Sequence, residues 1–262
     1  MIGLHELLAV GSGSVVGFVL GLIGGGGSIL AVPLLVYVVG VSSPHVAIGT
    51  SAIAVAASAA ANLAGHARAK TVKWPCAIAF ALAGIVGAAA GAQLGKMIEG
   101  SRLLTVFGAL MISIGLLLLR PRTSPGNPDV KLTLATVSRM LPILIGCGLA
   151  VGGLSGFFGI GGGFLIVPGL IGATQMPLIN AIGSSLLSVT ALGVTTAASY
   201  AWSGLVDWPL AGIFIVGGAL GGLLGIKLAQ RLSSHKNALA RMFSGLVIAV
   251  GLYVVARSWL ES

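Results

Sequence analysis

Residues 21–35 read GLIGGGGSILAVPLL, four consecutive glycines and then a proline, all inside a strongly apolar segment. About 135 residues later the chain writes nearly the same thing, GFFGIGGGFLIVPGL at 156–170. Glycine weakens a helix, and proline breaks one in mid-run. Residues 7–40 as a single helix would measure ~50 Å at ~1.5 Å per residue, against a hydrocarbon core of ~30 Å. Ordinary tilt does not absorb that difference. The element therefore has to break, and the glycines mark the place. Residues 24–31 are expected to be largely irregular, with a short half-helix starting near Val32. Residues 159–166, followed by Pro168, should repeat the arrangement.

The rest of the composition says where such an element lives. The chain has 262 residues, 56% of them hydrophobic and only 7% charged, with a mean hydropathy of +1.09. A soluble domain carries about 25% charged residues. This chain cannot cover a soluble surface, so it reads as an all-α polytopic membrane protein with no room for a separate soluble domain. The net charge of +9 would suggest a nucleic-acid partner in a soluble protein. Here it fits the enrichment of Lys and Arg in cytoplasmic loops, and no nucleic-acid partner is expected. Cys76 and Cys147 sit in apolar runs without a CxxC or paired histidines, so free thiols are expected and a metal site is not. The start, MIGLHELLAV, has no basic residue before its apolar run and reads as a first membrane segment rather than a cleaved signal.

The chain is a tandem repeat. Residues 17–33 and 152–168 share eight of seventeen positions, five of them glycine. AIGTS at 47–51 meets AIGSS at 181–185, and Trp74-Pro75 meets Trp208-Pro209. The polar stretch RPRTSPGNPDVK at 120–131 lies between the halves. The organisation is thus a first membrane repeat over 1–120, a cytoplasmic linker over 121–138 and a second repeat over 139–262. Each repeat holds a broken first element and three plain helices, near 45–66, 75–96 and 102–120, then 179–202, 209–230 and 238–258.

Charge counting selects a topology. If each broken element crosses once, the repeats are parallel and Lys and Arg divide almost evenly between the two sides. If each enters and returns, as a hairpin or a re-entrant half-helix, the repeats are inverted. Eleven of the fourteen basic residues then share one side, with Lys96, Arg102 and Arg257 on the other. The second is a normal positive-inside bias. It predicts inverted repeats with both termini outside.

Open backbone inside a membrane is tolerated only where it is buried in protein or lines a watery cavity. A half-helix N-terminus offers free N–H groups and the positive end of the helix dipole, which favour an anion. The backbone of Gly25, Gly26, Gly27 and Ser28 and of Ile160, Gly161, Gly162 and Gly163 supplies such donors. Each half adds a small hydroxyl pair on the next helix, Thr50-Ser51 and Ser184-Ser185. Two readings stand for these hydroxyls: donation to an anion, or bonding back to their own helix. Glycines spaced by four (Gly13/Gly17/Gly21, Gly87/Gly91/Gly95, Gly217/Gly221/Gly225) read as helix packing. The consecutive ones cannot form such a stripe. His66 and Asp207 are candidates for proton transfer or gating, with interfacial placement as the plainer reading. No P-loop, H-E-x-x-H or G-x-S-x-G is present, so no cofactor and no enzymatic reaction are expected.

GGGGSILAVPLL, AIGTS and GH.R...V.WP in the first half, with GIGGGFLIVPGL, AIGSS and G.VDWP in the second, together resemble the TauE/SafE sulfite exporter (TSUP) family over nearly the whole chain. Lys73 stands before Trp74 where many members carry an acid, and Tyr200 stands where a histidine can occur. The resemblance implies an integral inner-membrane transporter of sulfur-containing oxyanions such as sulfite or small organosulfonates. Moving a monoanion out of a negative interior is downhill by ~2.3 kcal/mol per 100 mV, which favours export without a coupling ion. An anion channel of the same architecture and a proton-coupled importer are the alternatives. The sequence carries no signal for oligomeric state.

Overall fold

The computed structural model describes residues 4–23, 25–119, 134–159, 162–231 and 236–260. The chain order is α1 (Leu4–Ile23), a returning segment, α3 (Pro44–Arg68), α4 (Trp74–Lys96) and α5 (Gly100–Leu119). The second half follows as α6 (Leu134–Phe158), α7 (Gly163–Thr174), α8 (Leu178–Trp202), α9 (Trp208–Arg231) and α10 (Lys236–Leu260). Among the described residues there is no strand. Six of these helices are long and apolar enough to cross a membrane. The surface agrees: Leu82, Val86, Leu94, Val216, Leu220 and Leu224 are all more than half exposed, as suits side chains facing lipid. The protein is an all-α polytopic membrane protein. Helix α6 begins at Leu134, inside the stretch assigned to the linker; residues 120–133 lie outside the described set.

Helix starts follow local chemistry. Pro44 and Pro75 occupy the first turns of α3 and α4, where the missing N–H costs nothing. At α9 the Asp207 carboxylate accepts the Leu210 N–H at 3.0 Å, an ordinary N-cap.

The two broken elements differ from the expected pattern. The first return is not irregular. It is a 3-10 helix over Gly25–Leu30, one α-helical turn α2 over Ala31–Pro33, and a π-helix over Leu34–Val39. Tight 3-10 winding brings Gly27 against the backbone of Val16 and Leu20, where a Cβ would lie 2.6 Å from Val16 O. In the second half the break is shorter than 159–166. Leu165 and Ile166 N–H both bond Gly162 O at 2.9 Å, so α7 starts at Gly163. Pro168 lies inside α7, which leaves the Phe164 carbonyl without its usual donor.

Packing relates the halves by exchange. Helix α1 lies along α9, with Gly13 against Phe214 and Gly17 against Gly218. The counterpart pair, α6 and α4, repeats this with Gly152 against Gly84 and Gly153 against Gly91. Gly13, Gly17, Gly87, Gly91, Gly95, Gly217 and Gly221 each admit a neighbouring backbone where a Cβ would collide, so the stripes spaced by four are packing surfaces. Within both pairs the helices run parallel. Helix α3 meets its own counterpart α8, and the pair is antiparallel: Gly49 faces Tyr200, Gly193 faces Ala56 and Gly183 faces His66. Helices α5 and α10 are antiparallel as well, with Gly108 beside Val255 and Gly115 beside Ile248. Helices α3 and α5 therefore run opposite to their counterparts α8 and α10. One end of the bundle, the terminus end, holds the starts of α1, α3, α5 and α9 and the finishes of α4, α8 and α10. The other, the linker end, holds the opposite helix ends.

Candidate functional site

The four hydroxyls on α3 and α8 are fully buried and fall into two equivalent sets. Ser51 Oγ donates to Ile48 O at 3.0 Å and Ser185 Oγ to Ile182 O at 2.8 Å. These two bond back to their own helices. Thr50 Oγ1 instead accepts the Asp207 N–H at 3.1 Å, and Ser184 Oγ accepts the Lys73 N–H at 2.9 Å. Each of these bonds ties one half to the loop before the Trp-Pro of the other. Thr50 and Ser184 each keep an O–H to donate.

The two pairs do not converge on one point. Gly183, beside Ser184, touches His66 near the end of α3. Thr50 and His66 are sixteen residues apart on that helix, or ~24 Å at 1.5 Å per residue. Thr50-Ser51 therefore belongs to the terminus end and Ser184-Ser185 to the linker end, too far apart to hold one small anion together. Equivalent positions on the antiparallel α3 and α8 are placed at opposite ends unless they lie near the middle of the pair.

His66 and Asp207 separate in the same way. At the linker end Thr71 Oγ1 donates to His66 O at 3.1 Å and lies 2.9 Å from His66 Nδ1, while Asn180 Nδ2 donates to Thr71 O at 2.8 Å. His66 thus helps fasten the α3–α4 loop to the start of α8. Asp207 caps α9 at the terminus end.

Of the two breaks, the second is the more open to a ligand. Gly159 and Gly162 both adopt positive φ, +66° and +68°, which glycine takes without strain. Gly159 lies directly on the Ile48 side chain, less than one turn from Thr50. Gly162 caps the twelve-residue α7 with no side-chain hydrogen bond, leaving the first N–H groups of that helix to another partner. Ser155 sits beside it, its Oγ 2.9 Å from where a Gly162 Cβ would be. Ser155 is 0% exposed, and its hydroxyl has no hydrogen-bond partner among the described residues. A buried hydroxyl without a partner among the described residues, next to a helix N-terminus whose glycine cap offers no side-chain acceptor, is a pair of donors suited to an anion. Ile160 and Gly161 lie outside the described residues. Ser155 was not among the residues singled out from sequence. Its signal is its place one turn before Gly159, on the α6 face that meets the break.

The first break is closed by comparison. Gly25, Gly26, Gly27 and Ser28 form part of a six-residue 3-10 helix, Ser28 is fully buried, and Leu20 occupies the place of Ser155. This 3-10 helix packs on α7, so the two broken elements touch. No group of three or more His, Cys, Asp or Glu among the described residues could hold a metal ion, and both cysteines are free.

Broken helices enclosed by apolar spans, with backbone and hydroxyl donors turned inward, define a polytopic membrane transporter by class. The chain belongs to the TauE/SafE sulfite exporter family, whose profile, described as "Sulfite exporter TauE/SafE", matches residues 9–254. A probable membrane transporter protein of Xylella fastidiosa (strain 9a5c) is 54% identical over 97% of this chain and 96% of its own length. The probable membrane transporter protein YunE of Bacillus subtilis (strain 168) is 29% identical over 85% of this chain and 88% of its own. No solved structure matches the chain at a significant level.

Proposed function

We propose that the chain is a secondary transporter carrying a small sulfur-containing oxyanion, sulfite or a small organosulfonate, outward across the inner membrane by alternating access. The observation that carries this reading is the second break: an α7 N-terminus whose Gly162 cap offers no side-chain acceptor, beside the Ser155 hydroxyl that has no partner among the described residues. Backbone N–H groups from Gly162 and Gly163, with Ile160 and Gly161, bind the oxyanion, and Ser155 donates to it. Thr50 reaches the same end through Ile48 and Gly159. Gly25–Gly27, Ser28 and the Ser184-Ser185 pair form the counterpart at the linker end. N–H and O–H donors without a buried acid suit an oxyanion and suit a metal cation poorly.

The halves lie inverted in the membrane, with the linker end cytoplasmic and both termini outside. The opposite running of α3 and α8 supports this, as does the presence of Arg68, Lys70, Lys73 and Arg139 at the linker end. The ties Thr50–Asp207 and Ser184–Lys73 then act as gates at the two faces, one opening while the other is closed. The test is thermal stabilisation of purified protein by sulfite, thiosulfate, sulfoacetate, sulfate and chloride, repeated with Ser155→Ala. Stabilisation by a sulfur oxyanion that Ser155→Ala removes is the expected result. Stabilisation by none of them overturns the reading.

A further inference from the structure

Resting on the oxyanion reading above, we infer that Lys96, Tyr200 and His45 form a separate anion-binding station at the mouth of the terminus end. Three elements bring them together. Lys96 closes α4, Tyr200 lies near the end of α8, and His45 is in the first turn of α3. Lys96 Nζ stands 5.8 Å from the Tyr200 ring centroid, and the His45 and Tyr200 rings are 6.5 Å apart at 33°.

Three features point to a ligand. First, among the described residues the Lys96 ammonium bonds only neutral oxygens: Ser199 O at 3.3 Å, Ser199 Oγ at 3.1 Å and Ser203 Oγ at 3.0 Å. Its hydrogen bonds are met by neutral groups, and its charge faces the Tyr200 ring with no acid bonded to it among the described residues. Second, Tyr200 is 0% exposed, yet its Oη has no hydrogen-bond partner among the described residues. Third, buried His45 Nδ1 is orphaned in the same way. Buried polar atoms are nearly always paired, and two unpartnered polar atoms beside a cation with no acidic partner among the described residues is a pattern that suits an anion. The neighbouring acids are engaged elsewhere: Glu99 with Arg102 at 3.4 Å, and Asp207 with the Leu210 N–H.

The station leads to the break. Gly95, next to Lys96, packs on Phe157, two residues before Gly159. His45 is three residues before Ile48, on which Gly159 rests, and Tyr200 packs on Gly49. An oxyanion passing between the break and the terminus-end solvent meets Lys96 within about a helical turn. The repeat does not supply this station twice, because Ile179 stands in the place of His45 and Gln230 in that of Lys96. The two faces of the transporter thus differ in charge where the anion enters or leaves.

The experiment is a sulfite titration of the purified full chain, read as Kd at low and high ionic strength. The variants are Lys96→Gln, Lys96→Arg, Tyr200→Phe and, as the control for the break, Ser155→Ala. Lys96→Gln should weaken sulfite about tenfold, the loss of one charge-assisted contact, and flatten the salt dependence. Lys96→Arg should retain most of the affinity. Tyr200→Phe, which keeps ring and packing, should weaken binding without changing the salt dependence. Wild-type affinity in both Lys96→Gln and Tyr200→Phe, with loss only in Ser155→Ala, overturns the station and leaves the break standing. No sulfite binding by the wild type overturns both.

Discussion

Thr50→Val and Ser184→Ala remove equivalent bonds at opposite ends of the molecule, and the consequence of each can be worked out from the structure. Valine keeps the shape of threonine and deletes the acceptor of the Asp207 N–H, now bonded at 3.1 Å. The closed terminus end is then left with an amide lacking a partner, whereas the open end supplies water to it. A buried amide without a partner costs ~1–3 kcal/mol. The bond is only part-buried, so the lower part of that range, ~1–2 kcal/mol, applies. An equilibrium between terminus-open and linker-open states would move ~5- to 30-fold toward terminus-open. Ser184→Ala frees the Lys73 N–H, bonded at 2.9 Å, and should move it the other way by a similar factor. Reporter cysteines at Val206 and Val72 read the two ends, in a background where Cys76 and Cys147 are alanine. Thr50→Val should speed labelling by a water-soluble thiol reagent at 206 and slow it at 72, and Ser184→Ala should do the reverse. If both variants shift labelling in the same direction, or neither shifts it, the ties are not gates.

Other consequences follow from packing and backbone. Gly152→Ala places a methyl against the backbone of Gly84, while Gly146→Ala on the same helix meets nothing within 4 Å. The first should cost ~1–3 kcal/mol by overpacking and lower the Tm in detergent; the second should leave the Tm unchanged or raise it. Gly159→Ala combines a φ of +66° with collision into Ile48. It should lower the Tm by more than either neighbouring substitution and abolish transport. Ser155→Ala removes a hydroxyl that has no partner among the described residues. It should leave the ligand-free Tm within experimental scatter while removing the shift produced by sulfite.

How far the sequence could be read depended on which physical signal each feature left. The plain helices were legible to within two residues because Pro44, Trp74-Pro75 and Trp208-Pro209 punctuate them. The glycine stripes were legible as packing surfaces because a spacing of four fixes a face. The consecutive glycines located both breaks but not their form. The sequence pattern of Gly24–Gly27 does not distinguish a 3-10 turn from open loop, and Pro168 was taken to mark a helix start when it lies within α7. The site was less legible. Internal alignment matched Thr50 with Ser184, and equivalence was read as proximity. Because α3 and α8 run oppositely, equivalence instead sends such residues to opposite ends. Ser155, Lys96 and Tyr200 escaped for the complementary reason. Leu20, Gln230 and His66 stand at the matching positions of the other half, so a search for repeated features passes over them. Their significance lies in contacts between helices that only the fold brings together.

The most direct test of the transport claim is sulfite flux from proteoliposomes under an imposed potential. With the interior clamped negative, outward sulfite flux through the wild type should rise with the potential, at ~2.3 kcal/mol of driving force per 100 mV, and Ser155→Ala should remove it. Sulfite flux that ignores the potential, or that appears only as uptake driven by a proton gradient, would contradict export of an oxyanion through the second break.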